Sequence, residues 1–161
     1  MVRAVPPLHV ATIRDVLASD GEIEWLFDEL ETYVARHGAR ANEPPLTVYH
    51  DAEYRERDLD VEVAVPVSRA LPGGERVRVG ELAGVATMAC AVHAGSYATI
   101  AGAAQALLTW IGSNGFHMAG PLREVYLRFG ATGLPFALPA IYLAGRAEDF
   151  VTELQVPIAA T

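Results

Sequence analysis

Glu124 and Tyr126 are the residues best placed to do chemistry. They stand two apart in Leu122-Arg123-Glu124-Val125-Tyr126-Leu127, a segment that reads as a β-strand. A strand sends Glu124 and Tyr126 to one face and Val125, Leu127 and Phe129 to the other. A carboxylate flanked by aromatic rings suits a flat, lipophilic cation. The rings supply stacking and cation–π attraction, and the carboxylate supplies a charge partner. The same pattern fits a solvent-facing Glu124, paired with Arg123, with Arg128 or with nothing. The apolar set is expected to pack beneath a helix. Glu124, Tyr126 and Tyr49 would then face the opposite side of the sheet.

Other chemistries find less support. His93-Ala94-Gly95-Ser96-Tyr97 brings a histidine near a serine, but no third group to orient the pair is apparent. It reads better as a helix entry, with Gly95 in the turn and Ser96 as N-cap. Tyr97 would then be free to wall a cleft. His9, His37, His50, His93 and His117 show no metal-ligand spacing, and no phosphate-binding glycine motif is present, so no metal or cofactor is expected. Cys90 is the single cysteine, which excludes an intrachain disulfide, and it reads as a small core residue. Trp25 and Trp110 fall in the two expected helices and read as core or interface residues.

The elements that must position these residues come as a repeat. Val10-Ala11-Thr12 returns as Val85-Ala86-Thr87, and Pro44, Val48 and Tyr49 return as Pro121, Val125 and Tyr126 at an offset of 77. Glu62, Val65 and Pro66 return as Glu153, Val156 and Pro157 at an offset of 91. Ordered matches of this kind predict two pseudo-symmetric halves sharing one core, with a groove between them. Each half is expected to run strand, helix, strand, strand. The strands of the first are Val10–Ala18, Leu46–Asp51 and Leu59–Val65, with a helix from about Glu22 to His37. In the second they are Val85–His93, Leu122–Phe129 and Thr152–Ile158, with a helix over Tyr97–Asn114, and Ile100, Ala104, Leu107, Leu108 and Ile111 on its buried side. Pro72-Gly73-Gly74 divides the halves, and Arg76–Leu82 is a further short strand. The fold class is therefore α+β: a tandem pair of β-α-β-β units, about residues 8–68 and 75–161, within one domain spanning 1–161. An antiparallel sheet with both helices on one face is expected. The rise in offset marks an excursion over Gly130–Phe150, which reads equally as a pocket wall and as a tolerated insertion.

Composition narrows the partners. The 161 residues are 52% hydrophobic with a net charge of −8, enough apolar material for a core and the wrong sign for direct nucleic-acid binding. No apolar run approaches a membrane span, and Met1–Leu8 shows no signal-peptide core, so a cytoplasmic location is expected.

Taken in order, several segments carry a resemblance. They are Asp60–Val67, His93–Tyr97, Leu108–Gly115, Gly120–Tyr126 and Thr152–Ile158, which together cover almost the whole chain. The chain resembles the GyrI-like domain, the effector-binding domain of BmrR-type and AraC-type regulators, in a stand-alone form. The resemblance implies a module that binds lipophilic, cationic or aromatic small molecules in a cleft between the halves, for sensing or sequestration. It implies that Glu124 is the pocket carboxylate, followed by Tyr126; wall positions vary in the family, and face and loop position make Tyr49, Tyr97, Phe136 and Tyr142 the candidate walls. Two alternatives come with the family. One is hydrolysis of a reactive lipophilic electrophile, with Glu124 and Tyr126 as its catalytic residues. The other is interaction with a protein partner, as in gyrase inhibitors. The apolar stretch Ala131–Leu143 serves a pocket wall or a homodimer contact equally well.

Overall fold

Nine strands among the described residues form the sheet, and two helices pack on it. The computed structural model describes residues 1–52, 55, 57–130 and 144–161. The strands are β1 (Val2–Val5), β2 (Leu8–Leu17), β3 (Leu46–Tyr49), β4 (Leu59–Pro66), β5 (Arg78–Leu82), β6 (Val85–Ala94), β7 (Phe116–Met118), β8 (Leu122–Arg128) and β9 (Val151–Ala160). The helices are α1 (Ile23–Arg36) and α2 (Ile100–Ser113), each entered through a short 3-10 turn, Asp20–Glu22 and Tyr97–Thr99. Both end where glycine permits positive φ, at Gly38 (57°) and Gly115 (80°). Ser96 caps the second turn by accepting a hydrogen bond from the Ala98 N–H.

The strand order is β1-β6-β9-β8-β3-β4-β2-β5, with β7 paired to β9. At the centre of the sheet the halves therefore join through one antiparallel ladder, β3 against β8. In that ladder Thr47 stands opposite Glu124, Leu46 opposite Val125, and Val48 opposite Arg123. Thr47 and Glu124 are separated by the repeat offset of 77, so the pseudo-twofold axis passes between them.

The outer strands are exchanged. β1 leads into the first half but pairs with β6 of the second. β5 leads into the second half but pairs with β2 of the first. Only Pro6 and Pro7 separate β1 from β2, a span of about 10–11 Å at full extension. The sheet must therefore curl until its two ends nearly meet, giving a half-barrel. Gly84, in the β5–β6 turn, lies against Pro7 where the two connections touch.

Each helix covers its own half. Ile23, Leu26, Leu30 and Val34 of α1 pack on Ala11, Ile13, Val61, Val63 and Val65. Leu107 and Ile111 of α2 pack on Ala89, Leu154, Val156 and Ile158. The opposite face holds a smaller cluster of Val10, Leu46, Val48 and Ala64, joined by Leu8, Leu82 and Val125. Three expectations need correction. Leu108 is 38% exposed, because α2 meets the sheet along a narrower stripe than its uniformly apolar sequence suggests. Trp25 and Trp110 are exposed as well, at 67% and 40%, which removes the core from the two readings offered for them, core or interface. Trp110 instead stacks on Phe116 of β7.

A Cβ at Gly84 would lie 2.9 Å from Pro7 Cδ and 3.2 Å from the Val5 carbonyl oxygen. Gly84→Val is expected to destabilise the fold by about 1–3 kcal/mol through overpacking, read as a lower urea midpoint at unchanged slope.

Candidate functional site

The β3–β8 ladder lies at the centre of the sheet, between the two helices. Thr47, Glu124 and Tyr126 share the helix-bearing face of this strip, with Tyr49 beside them. The expected facing is thus reversed. Tyr126 meets Phe27 of α1 edge-to-face, with ring centroids 5.8 Å apart, while Val125 joins Leu46 and Val48 on the other side. The reason is the curl. It brings Val125, half-buried, against an apolar cluster on the face opposite the helices, while Glu124 and Tyr126 are buried on the helix-bearing face.

There Glu124 is only 9% exposed. Its Oε1 accepts hydrogen bonds from the hydroxyls of Tyr49 (2.9 Å) and Tyr126 (3.0 Å). Tyr126 Oη also lies 2.8 Å from Thr47 Oγ1. The single phenolic proton is given to Glu124, so Thr47 donates to Tyr126. The axis-related residue of Glu124 is thereby recruited into its support. No arginine among the described residues pairs with Glu124. Burial raises its pKa, the two tyrosine hydrogen bonds partly offset this, and the charge of Asp20 adds to the rise. Burial also raises the pKa of Tyr49 and Tyr126 far enough to keep both as neutral donors. Tyr97 is pushed up to about 12 by burial, then by Glu124 and Glu24. Asp20 and Glu24 thus add negative charge to the site around Glu124 and Tyr97.

Aromatic rings line it. Tyr97, in the turn entering α2, lies 5.8 Å from Tyr126 and 4.9 Å from Phe150, centroid to centroid. Tyr97 is 43% exposed and forms the outer edge. A break in register between Tyr126 and Arg128 on β9 bends β8 beside the site. Of the residues singled out from sequence, Glu124, Tyr126, Tyr49 and Tyr97 come together here, and Phe136 and Tyr142 lie outside the described residues. Phe27 and Phe150 were missed. Phe27 sits beside Leu26 on the edge of the α1 apolar stripe, a position that marks a residue facing the seam between helix and neighbour. Phe150 ends the long excursion and carries no periodic signal. The His93–Ser96 pair is structural. His93 Nε2 lies near the Ser96 carbonyl oxygen (3.2 Å) and Thr99 Oγ1 (3.0 Å), while Ser96 Oγ caps the turn. Among the described residues no cluster of His, Cys, Asp or Glu could hold a metal ion. No helix among them is long and apolar enough to cross a membrane.

The sequence profile of the GyrI-like small molecule binding domain matches residues 1–159. The chain belongs to the GyrI-like family. No curated protein matches this GyrI-like domain by sequence. Solved structures agree on the fold. The C-terminal domain of EcmrR superposes with a TM-score of 0.84 at 20% identity, over 100% of this chain and 97% of that one. In the EcmrR–DNA complex the TM-score is 0.86 at 21% identity, and the domain spans 57% of the EcmrR chain. SAV2435 bound to tetraphenylphosphonium gives 0.61 at 10% identity, over 99% and 93% of the two chains. A hydrolase from Listeria innocua gives 0.61 at 14% identity, over 99% and 91%. The GyrI-like fold, with its half-barrel and two helices, is thus common to them all.

The raised Glu124 pKa has a consequence for stability. The folded state holds this proton more tightly than the unfolded chain does. The group's contribution is therefore full below the ordinary glutamate value and is lost as pH rises through the raised one. Urea midpoints across that window are expected to fall less steeply with pH in Glu124→Gln than in the parent.

Proposed function

We propose that this GyrI-like domain binds flat, lipophilic aromatic cations in the gap between its helices, with Glu124 as counter-charge. The observation that carries this reading is a nearly buried carboxylate supported by two phenol hydroxyls and no cation. A carboxylate so placed is costly to ionise until a positive group arrives. An aromatic cation would take that role. Its charge would meet Glu124, and its rings would stack among Tyr97, Tyr126, Phe27 and Phe150. Tyr49, held on Glu124, would complete the polar floor. That SAV2435 is bound to tetraphenylphosphonium, a lipophilic aromatic cation though not a flat one, supports the charge and lipophilicity proposed here. The fold shared with EcmrR supports a role as an effector module whose occupancy a DNA-binding segment would read. The setting is proposed to be cytoplasmic.

A second reading is hydrolysis of an electrophile, with Glu124 activating water. Its raised pKa favours that reading, since a buried carboxylate is a stronger base. The fold shared with a Listeria innocua hydrolase is compatible with it.

Titration with rhodamine 6G, followed by ligand anisotropy, tests the leading reading. Glu124→Gln is expected to weaken binding about tenfold or more, and Tyr97→Ala about two- to tenfold. Equal affinity in Glu124→Gln would overturn the charge pairing. Because only ionised Glu124 attracts the cation, affinity is expected to rise with pH through its raised pKa, with proton release on binding. Steady loss of a strained electrophile, absent in Glu124→Gln, would favour the enzyme.

A further inference from the structure

On strand β8 the residue before Glu124 points the other way. Arg123 lies on the face opposite the helices, inside the curl, and is only 7% exposed. Its guanidinium has one contact among the described residues, a long 3.4 Å hydrogen bond from Nη2 to the Ala83 carbonyl oxygen. Its Nε is buried and has no partner. Glu153, on the neighbouring strand of the same face, is already engaged by both terminal nitrogens of Arg3, at 2.6 and 3.1 Å, and by Gln155 at 2.6 Å. Burial alone lowers the pKa of Arg123, with no carboxylate acting against it. A buried cation without an anion is costly, so it is retained only where something outside the fold compensates it.

The repeat shows that the fold does not need this cation. At the offset of 77 the counterpart of Arg123 is Leu46, which sits on the same face across the pseudo-twofold axis. An aliphatic side chain therefore satisfies the equivalent packing position. On one side of Arg123 the face is aliphatic too: Val48 is its register partner on β3, with Val125, Leu82 and Leu8 in the same cluster, while Gln155, its partner on β9, gives its side-chain amide to Glu153. A planar fork of donors beside an aliphatic surface suits one ligand chemistry, a carboxylate carrying a short hydrocarbon chain. From this geometry we infer that Arg123 is the anchor of a second binding site, which takes the head of an aliphatic carboxylate at the mouth of the curl, back to back with the Glu124 site. The chain would lie along Leu8, Leu82 and Val125, near the touching connections at Pro7 and Gly84.

The test is calorimetric titration of the full chain with octanoate, with 1-octanol as its uncharged counterpart. Octanoate is expected to bind and 1-octanol to bind at least about tenfold more weakly, the difference a charge-assisted pair confers. Arg123→Leu, which copies Leu46, is expected to melt at or above the parent and to lose octanoate binding by the same factor. Arg123→Met provides the same readout should the leucine variant fail to fold. No octanoate binding by the parent, equal binding of 1-octanol, or unchanged octanoate affinity in the folded Arg123 variant would each overturn the assignment.

Discussion

One ladder joins the two halves at the centre of the sheet. β3 and β8 are equivalent strands of the repeat, and each pairs with the other across the axis, so the pair at the centre must contain a residue and its own counterpart. In a perfectly symmetric ancestor the two would be alike. Here they are Thr47 and Glu124. The hydroxyl supports a tyrosine that in turn supports the carboxylate, so the axis position became a polar site by differentiation of its two members. The helices follow from the same arrangement. Each packs over its own half, and the central strip between them is closed by aromatic rings such as Phe27 and Tyr97.

The charges at the centre obey a simple rule. Glu124 and Arg123 are adjacent, opposite in sign and turned to opposite faces, so neither can neutralise the other. Each is partly removed from water, and neither has an oppositely charged partner among the described residues. Aromatic rings lie beside the carboxylate, while the arginine stands between aliphatic Val48 on one neighbouring strand and polar Gln155 on the other. The sheet thus keeps two unlike environments back to back, separated by the thickness of one strand.

Much of this was legible in sequence, for identifiable reasons. The repeat revealed both halves and their order, because matched segments such as Val48-Tyr49 and Val125-Tyr126 lie in the ladder that fixes the register. Helix ends were readable at Gly38 and Gly115, where the backbone demands positive φ. β1 and β7 were not, since four and three residues are too short for a period to show. Their pairing is dictated from far away in the chain. The facing of β8 was read backwards because apolar residues were assumed to sit beneath helices. Nothing local announces that a curled sheet offers its other face as a second apolar interior. Phe27 and Phe150 reached the site through the approach of α1 and through the end of the excursion, both tertiary facts.

The exchanged outer strands limit how the molecule can respond to a ligand. β1 ties the start of the first half to the far edge of the second, and β5 does the reverse, with their connections in contact at Pro7 and Gly84. Swinging the halves apart like a clamshell would strip both edge pairings together. The sheet is thus a closed frame, and adjustment to a small molecule falls to side chains such as Tyr97 rather than to a hinge between the halves.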